Sequence, residues 1–95
     1  MGLSIDSKFE NNVTVIAIEG EITFENSVQL REKIDEECKA GHYNIVIDLI
    51  GLKYMSSAGM GVLVHGLKQT RANNGDLRLI NLKTLFLWLL KINIV

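Results

Sequence analysis

The residues best placed to do chemistry are two adjacent serines, Ser56 and Ser57, which separate a β-type run from a helical one and precede Ala58, Gly59, Met60 and Gly61. A serine at a helix start accepts a hydrogen bond from a backbone amide two or three residues on, so either serine can serve as the N-cap. One cap is enough, which leaves the other hydroxyl available. Gly59 and Gly61 lower helix propensity in a first turn that needs no glycine, and so point to a close approach to the backbone, whether by tight packing of a capped helix on a sheet, the plainer reading, or by a partner. The N-terminus of such a helix offers amides and the positive end of a dipole to an anion or a partner. A phosphate on Ser57 would add about −1.5 to −2 charges there without unfolding the domain, and could block whatever docks on that surface.

Other constellations are weaker. Gly59, Gly61 and Gly66 do not make a dinucleotide loop, since the third glycine falls two residues late, and no Walker A sequence occurs. His42 and His65 have no cysteine or acid at metal-ligand spacing, which favours surface or packing roles. Cys38 falls on the apolar face of a helix and reads as a small buried hydrophobe. Asp48, at the end of an apolar run, either caps the following turn or lies in a contact surface near Ser57, the structural role being the one expected. No metal, cofactor or catalytic residue is expected.

The elements that must position the serines follow from periodicity. Ile5–Phe9 and Val13–Glu19 are β-type, joined by an Asn-rich turn at Glu10, Asn11 and Asn12. Gly20 to Thr23 lead into a helix capped by Asn26 or Ser27, with Leu30, Ile34 and Cys38 on one face and Gly41 after its last turn. Asn44–Leu49 suits a strand buried on both faces, followed by a short connection that carries Leu52 and Met55 back to the core. A second helix spans Ala58–Ala72 with Met60, Leu63, Val64 and Leu67 as its apolar stripe, and Asn73, Asn74 and Gly75 stop it. Leu77–Asn81 is a strand, Lys83–Leu90 a short apolar helix, and Ile92–Val95 again β-type. The order β-β-α-β-α-β-α-β predicts an α/β domain with a mixed sheet.

The 95 residues make one domain, and an apolar fraction of 47% excludes intrinsic disorder. A single cysteine rules out a disulfide framework and suggests a reducing compartment. There is no signal peptide pattern, and the longest apolar run, Leu85–Leu90, is far below the ~20 residues that span a bilayer. A cytoplasmic protein without a membrane partner is expected. The net charge of −1 hides −6 in residues 1–50 and +5 in residues 51–95. Neither half has the dense basic run with aromatics that a nucleic-acid groove requires.

The run from Asp48 through Tyr54, Met55, Ser56, Ser57, Ala58, Gly59, Met60, Gly61, Val62 and Leu63 resembles the signature of STAS domains, specifically the bacterial anti-sigma factor antagonists. Ile18 to Ile22 is similar to that family's strand-end Gly-Glu element, and Gly75 to Leu79 to its fourth strand. The resemblance implies a STAS-like fold and a non-enzymatic switch. The unphosphorylated antagonist would bind an anti-sigma factor, a serine kinase of the GHKL type. Phosphorylation of Ser57 would release it, and a serine phosphatase would restore binding. Ser56 stands where the family has an acid. On this fold Glu21, Thr23 and Phe24 would share one sheet end with Ser56, Ser57, Ala58, Gly59 and Met60, forming the partner surface. Against the family pattern a last helix is missing, so the chain reads either as truncated or as covered by a partner, for instance as a homodimer through the apolar C-terminal segment. The alternative function is a constitutive scaffold module of a stress-sensing or transport complex that is never phosphorylated.

Overall fold

Asn11 and Asn12 both adopt left-handed backbone angles, with φ of 54° and 64°. They form the two-residue turn of a hairpin in which Glu10 faces Val13, the geometry whose twist matches that of the flanking strands. The structure, a computed structural model, describes residues 2–82. Along the chain come β1 (Leu3–Glu10), β2 (Val13–Ile22), α1 (Ser27–Lys39), β3 (Asn44–Met55), α2 (Ser57–Ala72) and β4 (Asp76–Ile80). The helix expected over Lys83–Leu90, the strand at Ile92–Val95 and the dimer contact expected of the apolar C-terminal segment lie outside the described residues. The sheet order is β1-β2-β3-β4. The β1–β2 pair is antiparallel, while β2–β3 and β3–β4 are parallel, so the sheet is mixed as expected.

Each parallel pair is joined by a helix, and right-handed crossovers that step in one direction across a sheet place their helices on the same face. Ile16 and Ile18 of β2 and Ile45, Ile47 and Leu49 of β3 meet Leu30, Ile34 and Cys38 of α1 and Val62 and Leu63 of α2 in one core. Ile16, Ile34 and Ile47 are wholly buried, each contributing about 1.5–3 kcal/mol by leaving water. The other sheet face carries Val15, Ile50 and Ile80, all exposed.

Both central strands run further than their sequence suggests. Expected to end at Glu19 and Leu49, they continue to Ile22 and Met55. The ladder survives two register shifts, between Ala17 and Glu19 and between Gly20 and Glu21. Bulges break the alternation that a sequence reading relies on while the pairing goes on. The segment after Leu49 is therefore strand, not connection, although Leu52 is buried and Met55 packs on the core as expected.

Of the apolar stripe expected on α2, Leu63 is buried and Met60 and Leu67 pack on the core, but Val64 does not. The helix's buried residues are Gly59, Val62, Leu63, Gly66 and Thr70, and Val64, expected inside, is 48% exposed. Gly66 turns the helix this way. A Cβ there would lie 2.8 Å from Leu77 Cδ1 and 3.2 Å from Ile34 Cδ1, so a glycine lets α2 settle against β4 and α1.

α1 ends as expected. Gly41 has φ +83°, its amide donates to the Cys38 carbonyl at 3.0 Å, and the His42 amide donates to the Glu37 carbonyl at 2.9 Å. This double closure satisfies carbonyls that the last helical turn leaves open. The same corner is fastened by side chains. Glu37 Oε1 accepts from the buried Thr14 hydroxyl at 2.8 Å and lies 2.9 Å from His42 Nδ1, while the His42 ring stacks on Phe9 at 3.6 Å.

Candidate functional site

The site is built by the matched ends of β2 and β3. Glu21 pairs with Tyr54 and Ile22 with Met55, and the Ser56 amide continues the ladder by donating to the Ile22 carbonyl at 2.9 Å. The loop leaving β2 and the head of α2 therefore stand side by side. Glu21, Thr23 and Phe24 arrive on one arm, and Ser56, Ser57, Ala58, Gly59 and Met60 on the other.

Of the two serines, Ser56 is the cap. It is extended, with φ −74° and ψ 169°, and its hydroxyl accepts from the Gly59 amide at 3.4 Å. Ser57 is the first residue of the helix and is exposed, whereas Ser56 is half-buried. The first turn of α2 holds no acid, so the positive dipole end is not neutralised by a carboxylate of its own helix.

Gly59 makes the close approach expected of a glycine in this turn, and makes it to the protein's own core. It is buried, and a Cβ would fall 2.6 Å from Met55 Cγ and 2.8 Å from Ile22 Cγ2. The close approach comes from the protein's own core, so Gly59 supports the surface from beneath. Around Gly61 nothing lies within 4 Å of a built Cβ. Among the other expected surface residues, Glu21, Thr23, Ala58 and Met60 are half-buried, and Phe24 is exposed.

The loop before α1 departs from expectation more sharply. Asn26 occupies the N-cap position, yet its backbone is helical and its side chain does not cap the helix. Instead Asn26 Oδ1 accepts from the Thr23 amide at 2.7 Å, Thr23 Oγ1 accepts from the Asn26 amide at 3.2 Å, and Asn26 Nδ2 donates to the Glu21 carbonyl at 2.9 Å. Ser27 Oγ adds a bond to the Phe24 carbonyl at 2.9 Å. Thr23 and Asn26 thus bond reciprocally in the manner of a capping box, with Thr23 in the capping place one turn ahead of Ser27.

Tyr54, which sequence reasoning did not single out, stands 53% exposed opposite Glu21. Its signal would have been strand alternation carried past Leu49, which the bulges conceal. Asp48 is structural: its Oδ1 accepts from the Ile50 amide at 3.1 Å and from Asn81 Nδ2 at 2.8 Å, tying β3 to the exit of β4. Cys38 is buried, and burial, with Asp35 and Glu37 nearby, pushes its thiol above the ordinary value, which suits a packing role. His65 lies 3.0 Å from Asp35 and links the two helices. No helix among the described residues is long and apolar enough to cross a membrane.

Comparison with known proteins agrees with this geometry. The family model for the STAS domain matches residues 4–87. The anti-sigma-B factor antagonist of Bacillus subtilis is 34% identical over 82 residues, covering 86% of this chain and 74% of that protein. Among solved structures, a protein of Thermotoga maritima superposes with a TM-score of 0.87 at 20% identity, over 94% of this chain and 77% of that one. The anti-sigma factor antagonist SpoIIAA in its unphosphorylated form superposes with a TM-score of 0.80 at 21% identity, over 94% of this chain and 83% of that one. Its structure has also been solved in the phosphorylated form. By the family match across most of its length, and by a relative of this identity, the chain belongs to the STAS domain family, among the anti-sigma factor antagonists.

Proposed function

We propose that this protein is an anti-sigma factor antagonist that works by binding rather than by catalysis, and that phosphorylation of Ser57 ends the binding. The observation that carries the reading is the division of labour between the serines. Ser56 is engaged as the helix cap while Ser57 is exposed at the first helical position. A phosphate on Ser57 would leave the cap intact and change only the surface. The partner is an anti-sigma factor that is also a serine kinase of the GHKL type, with a serine phosphatase resetting the switch, in the cytoplasm. Glu21, Thr23, Phe24, Ser56, Ala58 and Met60 surround Ser57 in the contact surface, with Gly59 beneath it.

Incubation of the full chain with the anti-sigma kinases of its own organism and ATP, followed by mass spectrometry, tests the switch. One phosphate on Ser57 is expected. Phosphate on another residue, or none with a kinase that binds the chain, overturns the assignment. A second reading, a constitutive scaffold that is never phosphorylated, is favoured by Ser56 in the place of the family's acid and by the exposed Val15, Ile50 and Ile80 on the open sheet face. Light scattering after gel filtration separates the two, a large defined oligomer indicating the scaffold and a monomer or dimer the switch.

A further inference from the structure

We propose that Phe24 is the anchor by which this surface seats in its partner, and that Asn26 is the positioning residue that holds Phe24 ready. The inference rests on the reading that the Ser57 end of the domain is a protein-binding surface, and it assigns the kind of contact made there. Phe24 is 77% exposed, more than any other large apolar side chain among the described residues. An exposed phenyl ring on a wandering loop would be unremarkable, because isolated apolar residues on surfaces need no explanation. This loop is held. The Thr23 amide, the Asn26 amide, the Glu21 carbonyl and the Phe24 carbonyl are all bonded within it, and the Ser27 amide donates to the Thr23 carbonyl at 3.0 Å.

Asn26 supplies two of these bonds from its side chain. Asn26 Oδ1 accepts from the Thr23 amide while Thr23 Oγ1 accepts from the Asn26 amide, the reciprocal bonding of a capping box, and Asn26 Nδ2 donates in addition to the Glu21 carbonyl. The bond from Nδ2 to the Glu21 carbonyl is not part of such a box, and it ties the turn that carries Phe24 to the end of β2. Together these bonds fix the backbone on both sides of Phe24. Fixing an aromatic side chain before binding removes ordering cost at association and concentrates affinity in one residue. The occupant that fits is the same protein that senses Ser57, presenting an apolar pocket of phenyl size beside the pocket or cleft that receives the head of α2. Tyr54 and Met60, on the neighbouring arm, line the rest of the approach.

Surface plasmon resonance on the full chain, with each purified anti-sigma factor of its organism as probe, tests both parts. Phe24→Ala should weaken binding by about 30-fold or more, the range of an interface hot spot, and Phe24→Leu by less. Asn26→Ala should weaken it by several-fold, mainly through faster dissociation, and should add nothing in the Phe24→Ala background, since the two residues act through one contact. Nitrogen-15 relaxation gives a readout that needs no partner: order parameters of residues 23–25 should fall from about 0.85 to below about 0.6 in Asn26→Ala. Circular dichroism melts verify that each variant is folded. If Ser57→Asp abolishes binding while Phe24→Ala changes it less than twofold, the anchor is wrong and the switch stands. Equal effects of Asn26→Ala in both backgrounds, or order parameters that do not change, overturn the positioning role. A wild-type chain that binds none of the anti-sigma factors overturns the anchor and the proposed function together.

Discussion

At the scale of the residue, neighbouring side chains of the same type acquire different roles through backbone geometry. Ser56 and Ser57 are chemically identical, but Ser56 precedes the helix in an extended conformation and Ser57 begins it. Ser56→Ala should therefore cost about 0.5–1 kcal/mol in a denaturant titration, the low end for a cap whose bond is long. Ser57→Asp should leave stability within about 0.5 kcal/mol of wild type, as expected of an exposed site, and still weaken binding to the anti-sigma factor. Loss of the native circular dichroism in Ser57→Asp would contradict that separation. Gly59→Ala belongs to a different class. Its methyl group meets Met55 Cγ and Ile22 Cγ2, and the overpacking should destabilise the domain by about 1–3 kcal/mol despite the gain in helix propensity. An unchanged melting temperature would show that α2 can shift outward at no cost.

At the scale of the element, the junction of α1 with the sheet is a titratable fastening. Burial raises the Glu37 carboxyl, but hydrogen bonds from His42 and Thr14, with the charges of His42 and Lys33, outweigh it and hold the group below its ordinary 4.5. A carboxylate with a depressed folded value stabilises the fold fully above the unfolded value and loses that contribution as pH falls through the folded one. Wild-type stability should accordingly decline below about pH 4.5, and Glu37→Gln should flatten that part of the profile when melting temperature is followed against pH. An identical acid limb in the variant would show that other carboxylates govern it. Element boundaries follow the same logic of local against non-local forces. The hairpin turn was legible because Asn11 and Asn12 carry their preference in their own side chains. The ends of β2 and β3 were not, because a bulge is decided by pairing with a neighbouring strand.

At the scale of the whole molecule, one core lies between one sheet face and two helices. Ile34→Ala, at a wholly buried position, should cost about 2–5 kcal/mol through lost burial and a residual cavity, a large share of the roughly 5–15 kcal/mol available to a domain. A midpoint shift in urea measures it. The α/β class, the order of the first six elements, the core residues Leu30, Ile34 and Cys38, and the serine pair at the head of α2 were all determined by the sequence, because each rests on short-range periodicity or turn chemistry. Other features were decided only in three dimensions. The face that α2 buries turned on Gly66 meeting Ile34 and Leu77. Gly59 proved to be a packing residue, and Asn26 proved to bond back to Thr23 and Glu21 instead of accepting from the first turn of α1. The fold of residues 2–82 is thus written locally in its elements and non-locally in its site, since the site exists only where the ends of β2 and β3, far apart in the chain, are paired.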